Sequence, residues 1–148
     1  MGRDNDAINV YHQAFNLLPN SSAWLKLAEL FEKLGKNDEL LALYDRKIRL
    51  KPDNPNIWYK YGLVLIKLEN LGGAIDAFDN AIQINTNFAD AFYNQACAYA
   101  LQQNKDLAVN SLRRAIELDG EHYRNLAQSD KYFDNLRYYE GFIDLIGC

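Results

Sequence analysis

Apolar residues in this chain recur at intervals of three and four. Trp24, Leu27, Ala28 and Phe31 keep the i, i+3, i+4, i+7 spacing of one helix face. Leu40, Leu41, Tyr44 and Ile48, at i, i+1, i+4 and i+8, again fall on one helix face, and the turn-rich stretch LGKND separates the two runs. The couplet then returns in register. Trp24, Trp58 and Phe92 stand 34 residues apart, and so do the small residues Ala28, Gly62 and Ala96. Phe31, Leu65 and Tyr99 form a large apolar column, followed by Leu40, Ala74 and Ala108 and then by Tyr44, Phe78 and Leu112. Ile48, Ile82 and Ile116 are identical. Leu50, Ile84 and Leu118 close each unit, followed by Pro52, Thr86 and Gly120. So many aligned columns at one period, without a gap, are the mark of a repeat protein.

The repeating blocks are 21–54, 55–88 and 89–122, each a pair of helices. The small column has a steric reason, because two helices come close only where one side chain is small. Pro52, Asp53 and Pro55 stop one helix and start the next, and NTN and DGE do so in the later blocks. In ENLGGA, Gly72 and Gly73 are expected to supply the positive φ of the turn between the two helices.

These columns resemble the tetratricopeptide repeat pattern W-x2-L-G-x2-Y…A-x3-F…P. Trp24, Leu27, Ala28, Phe31, Leu40, Tyr44 and Pro52 carry it in the first block. Trp58, Tyr61, Gly62, Leu65, Ala74 and Phe78 carry it in the second, and Phe92, Ala96, Tyr99, Ala108, Leu112 and Ala115 in the third. Lys47 departs from it at a position that usually holds a small residue, and Thr86 and Gly120 replace proline. The resemblance implies an all-α fold, a right-handed α–α superhelical solenoid of antiparallel helix pairs, in a single domain spanning 1–148. Residues 6–20 read as the second helix of a partial repeat, which suggests a fragment of a longer array. Residues 123–148 resemble the closing segment of bacterial tetratricopeptide proteins through Ala127, Asp130, Phe133, Leu136, Arg137, Phe142, Leu145 and Ile146, and are expected to cap the last apolar face.

Composition narrows the function. Of 148 residues, 49% are hydrophobic, too many for a disordered chain, and the net charge of −4 argues against a dedicated nucleic-acid binder. No apolar run approaches the roughly 20 residues that span a bilayer. Two cysteines, Cys97 and Cys148, make no disulfide framework, so a cytoplasmic protein is the default expectation. Asn20 opens a glycosylation sequon without secretory context. The glycines match no phosphate-binding loop, His12 and His122 have no second ligand at metal spacing, and no catalytic constellation stands out. No cofactor and no metal are expected, and the chain reads as a non-enzyme.

In this family the first helices line the concave side. The matching positions are Leu25, Lys26, Glu29 and Lys33, then Tyr59, Lys60, Leu63, Ile66 and Lys67, then Tyr93, Asn94, Cys97 and Leu101, then Arg124. Tyr59 and Tyr93 lie one residue beyond the packing column. An apolar strip beside lysines suits a peptide with hydrophobic anchors and acidic groups. The carboxylate clamp of chaperone-tail receptors would fall on Leu25, Glu29, Lys60, Asp90 and Asn94, which carry the wrong chemistry for it. The expected function is therefore a protein-interaction scaffold with a peptide or partner helix in the groove. Two alternatives are a regulatory or targeting segment of a larger enzyme, and end-to-end self-association through Ile8, Tyr11 and Phe15 of the first helix.

Overall fold

A computed structural model describes residues 2–19 and 21–147. Met1, the sequon residue Asn20 and Cys148 lie outside the described residues. No strand occurs among the described residues, and every regular element is helical. The chain divides into two compact units after Pro52.

The first unit holds α1 (Gly2–Leu17), α2 (Ala23–Lys33) and α3 (Asn37–Leu50). Its core is Phe15, Leu27, Ala28, Phe31, Leu40, Leu43, Tyr44 and Ile48. Phe15, assigned from sequence to a free face for self-association, is fully buried and has the Arg46 guanidinium 4.1 Å over its ring. Lys47 occupies a position where the family pattern has a small residue, and it is buried too. Its Nζ donates to the Pro19 carbonyl at 3.3 Å and lies 5.0 Å from the centre of the Trp24 ring. Burial, and then the charge of Lys51, push its pKa down.

The second unit runs through α4 (Pro55–Lys67), α5 (Leu71–Ile84), α6 (Ala89–Leu101), α7 (Lys105–Leu118) and α8 (Gly120–Ser129). A 3₁₀ helix, Lys131–Leu136, and α9 (Glu140–Ile146) complete it. Within the pair α4 and α5, Gly62 lies against Phe78. A Cβ added at residue 62 would stand 2.6 Å from the ring. The small column thus sets how closely these two helices approach. A polar link joins α5, α6 and α7: buried Ser111 donates to Gln95 Oε1 at 3.0 Å, and Gln95 Nε2 donates to Asp79 Oδ1.

The turns inside the helix pairs differ from the sequence-based expectation. Gly72 and Gly73 do not make the turn; they sit in the first turn of α5, and neither has a positive φ. The left-handed residue is Glu69, at φ 60, and its counterparts 34 residues either side are Gly35 at φ 66 and Gln103 at φ 62. Each turn closes with the same pair of bonds. Asn70 N donates to Leu65 O and Glu69 N to Ile66 O, as Lys36 does to Phe31 and Gly35 to Glu32, and as Asn104 does to Tyr99 and Gln103 to Ala100. This is the Schellman closure of a helix C-terminus. Asn70 and Asn104 then cap the following helices, accepting from Gly73 N at 3.0 Å and Leu107 N at 3.3 Å.

Two substitutions test these constraints. Gly62→Ala is expected to cost about 1–3 kcal/mol in urea unfolding, because the buried Phe78 ring must shift. Glu69→Gly is expected to raise stability by about 1 kcal/mol in the same assay, since a glycine accepts the left-handed conformation without a Cβ clash.

Candidate functional site

The first helix of each pair has two kinds of side chain that its own partner does not bury: charged residues in solvent and apolar residues left part-covered. In α2, Leu25, Lys26, Glu29 and Lys33 are all exposed. Lys26, Glu29 and Lys33 line a depression of about 300 Å³ together with Leu30 and with Ala7 and Tyr11 of α1. Lys26 and Glu29 pair at 3.5 Å across this exposed surface, a contact worth little in water.

In α4, the residues Tyr59, Leu63, Ile66 and Lys67 follow the spacing i, i+4, i+7, i+8 and share one face. Tyr59, Leu63 and Ile66 are half-buried, while Lys60 and Lys67 are exposed. The Tyr59 ring rests against Phe88 and Phe78, with centroids 5.0 and 5.9 Å away. Its hydroxyl accepts from Asn94 Nδ2 at 3.0 Å. Burial, and then the nearby Asp90 carboxylate, push the Tyr59 phenol up to about 12.

On α6 the face that carries Tyr93 and Cys97 is covered, and here the sequence-based placement of those two residues needs correcting. Tyr93 and Cys97 are buried, at 4% and 1% exposure, rather than open. The chain after α8 turns back onto α6 and fills that side. Tyr93 donates its hydroxyl to Asp130 Oδ2 at 2.6 Å, and its ring meets Phe133 edge-on at 5.6 Å and Tyr123 at 5.2 Å. Asn135 Nδ2 donates to the Ala100 carbonyl at 2.7 Å. Asp130 also caps the 3₁₀ helix, its Oδ1 accepting from Tyr132 N at 3.0 Å. Arg137 donates to the Ala127 and Asp130 carbonyls and so ties the end of α8 to the same turn. Tyr123 in turn donates to Asp90. Two carboxylates near the first-helix face are thereby engaged by tyrosine hydroxyls. The Tyr93 phenol is held well above its ordinary pKa by burial and by its bond to Asp130, and burial raises the Cys97 thiol.

Asn94 is half-buried, and Leu101 is 42% exposed. Arg124 is exposed, and its Nε donates to the Leu145 carbonyl at 3.3 Å. Leu101 and Tyr132 line two adjoining depressions. One, of about 350 Å³, adds Ile66, Lys67, Glu69 and Leu71. The other, of about 730 Å³, adds Leu126, Ser129, Asp130 and Lys131. Sequence reasoning missed Tyr132, Leu126 and Lys131, because nothing in the 34-residue period predicts which side the returning segment takes. Among the described residues, no group of three His, Cys, Asp or Glu side chains could hold a metal ion, and no helix is long and apolar enough to cross a membrane.

Residues 24–132 match the family described as the cilia and flagella-associated protein 70 middle TPR-like domain. Over 84 residues the chain is 33% identical to Hsc70-interacting protein 1 of Drosophila melanogaster, a match that takes in 57% of this chain and 22% of that protein. It is 27% identical over 112 residues to the human protein O-mannosyl-transferase TMTC3, covering 74% of this chain and 12% of that protein. The chain thus spans a minor part of both relatives. Among solved structures, MamA superposes with a TM-score of 0.78 at 20% identity, covering 99% of this chain and 86% of that one. YrrB, described as a TPR protein with an unusual peptide-binding site, superposes with a TM-score of 0.74 at 19% identity, covering 97% and 75%. At these identities the two structures establish the fold alone.

The Tyr93–Asp130 bond gives a pH-dependent prediction. Tyr93→Phe is expected to cost about 2 kcal/mol near neutral pH in urea unfolding. Because the folded phenol's pKa is raised, its contribution is complete below the ordinary value of 10 and declines as pH rises above it. The stability gap between wild type and Tyr93→Phe should therefore be constant up to about pH 9 and shrink above pH 10.

Proposed function

The chain belongs to the tetratricopeptide repeat-like family, and on that premise we propose that it is a protein-interaction module whose first-helix face holds a peptide or a partner helix. The observation that carries this reading is the set of apolar side chains outside the packing columns. Leu63 and Ile66 stay half-buried and Leu101 stays 42% exposed, where repeat packing alone would allow charged residues. With Tyr132 from the returning segment, Ile66 and Leu101 line adjoining concave surfaces rather than isolated points. Contiguous apolar surface edged by charge is the usual anatomy of a docking site. Lys60, Lys67 and Lys131 are exposed there and have no carboxylate partner among the described residues, whereas Asp90 and Asp130 are taken by tyrosines. The surface thus presents Lys67 and Lys131 beside the carboxylates Glu69 and Asp130, in a chain that carries −4 as a whole. A partner segment with apolar anchors and acidic residues fits it best.

A second reading, a regulatory or targeting segment within a larger enzyme, is favoured by the likeness to the O-mannosyl-transferase, of which the matched part is 12%. The two readings are compatible, since such a segment would also act by binding. The name of the Drosophila relatives points to Hsc70 as their partner. The clamp positions Leu25, Glu29, Lys60, Asp90 and Asn94 give no support to a chaperone-tail site in this chain.

Leu101→Asp tests the reading at an exposed position where folding should survive within about 0.5 kcal/mol. In affinity capture from native extract, the proteins retained by wild type are expected to be lost from Leu101→Asp and from Ile66→Asp. Undiminished recovery by both variants, with unchanged circular dichroism, would place the docking surface elsewhere.

A further inference from the structure

The returning segment shows what one first-helix face of this protein accepts. It brings a carboxylate, Asp130, to the hydroxyl of Tyr93 and an aromatic ring, Phe133, three residues later, to the edge of the same tyrosine. Asn135 then reaches a carbonyl at the end of α6. One repeat earlier in register, α4 carries Tyr59, Leu63 and Ile66 where α6 carries Tyr93, Cys97 and Ala100.

The difference between the two tyrosines lies in the hydroxyl proton. Asn94 Nδ2 donates to Tyr59 and also to the Asp90 carbonyl, at 3.0 and 2.9 Å. The second bond fixes the orientation of the amide, because a backbone carbonyl can only accept. Tyr59 is therefore an acceptor in this contact, and among the described residues no group accepts its proton. Asp90, whose charge acts on Tyr59, accepts from Tyr123 instead. Lys60 and Lys67 flank the face, exposed and without an ion pair among the described residues. At the matching place on α6, Tyr93 has its carboxylate.

We propose that the α4 face around Tyr59 docks a partner segment of the same chemistry as residues 130–133: an Asp or Glu that accepts from the Tyr59 hydroxyl, followed three residues later by an aromatic side chain that packs beside Leu63 and Ile66. This rests on the reading of the first-helix face as a docking surface, and it names the ligand class. The carboxylate gains a neutral donor on α4, Lys60 and Lys67 supply exposed positive charge along the same helix to offset the Asp90 carboxylate already near Tyr59, and the aromatic residue buries the half-open apolar strip. The chain's own turn is engaged on α6, so the occupant of α4 comes from another protein. A second copy of this chain would have to release its turn first.

The test uses the full chain and a fluorescein-labelled synthetic peptide of residues 127–138, AQSDKYFDNLRY, followed by fluorescence anisotropy. Saturable binding is expected. It should weaken about tenfold with Tyr59→Phe, and similarly when the peptide carries Asp130→Asn or Phe133→Ala. Tyr93→Phe should leave it unchanged, because that face is already filled. Absence of saturable binding, equal binding by Tyr59→Phe, or equal binding of a scrambled peptide overturns the proposal. So does loss on Tyr93→Phe alone, which would mean exchange with the resident turn on α6. Tyr59→Phe removes one oxygen from a half-buried ring, so the variant should fold. If these arms fail while Leu101→Asp still abolishes partner capture, the docking surface stands and only the ligand class is wrong.

Discussion

The approach of α4 to α5 at Gly62 and Phe78 is the contact on which the geometry of its repeat depends. With no Cβ at residue 62, the fully buried Phe78 ring fills the space between the helices. The equivalent small positions, Ala28 and Ala96, are buried, and so are the large residues 16 positions after them, Tyr44 and Leu112. Once that stripe is committed to the second helix, the rotation of the first helix about its axis is settled. Tyr59, Leu63 and Ile66 then fall on another face, half-buried by neighbours but not consumed by them. The left-handed residue at Gly35, Glu69 and Gln103 returns the chain for the second helix within each pair. The half-buried apolar face is thus what remains after the repeat has satisfied its own packing.

The closing segment gives the two first-helix faces of the second unit different roles. On α6, Asp130, Phe133 and Asn135 satisfy the tyrosine, the apolar strip and a carbonyl from within the chain. Phe133, Leu136 and Phe142 are fully buried, so this end behaves as core rather than as a detachable ligand. The same segment raises Tyr132 beside Leu101 and adds a wall to the neighbouring surface. The turn that seals the last repeat therefore also shapes the surface beside the preceding helix pair.

Much of the fold was legible because repeat packing writes itself into the sequence as columns. A residue that meets the same neighbour every 34 positions keeps its size, and Ile48, Ile82 and Ile116 keep their identity as well. The turns were less legible, because the structure puts Glu69 and Gln103 in the left-handed region, where residue type alone points to glycine, and uses Gly72 and Gly73 inside a helix. Tyr93 and Cys97 were misplaced for a different reason. Their burial depends on a segment more than 30 residues away whose path has no period to follow. Phe15 was misplaced because helical spacing cannot say which neighbour covers a face, and Arg46 lies over it.

The α6 face is filled from within the chain, whereas on α4 Tyr59, Leu63 and Ile66 stay only half-buried. Fluorine NMR of the chain labelled with 3-fluorotyrosine separates the two faces, with the signals among its ten tyrosines assigned through the Tyr59→Phe and Tyr93→Phe variants. On addition of a bound partner or the acidic–aromatic peptide, the Tyr59 signal should move while the Tyr93 signal stays in place. A shift of Tyr93 with Tyr59 unmoved would contradict that division of labour between the two helices.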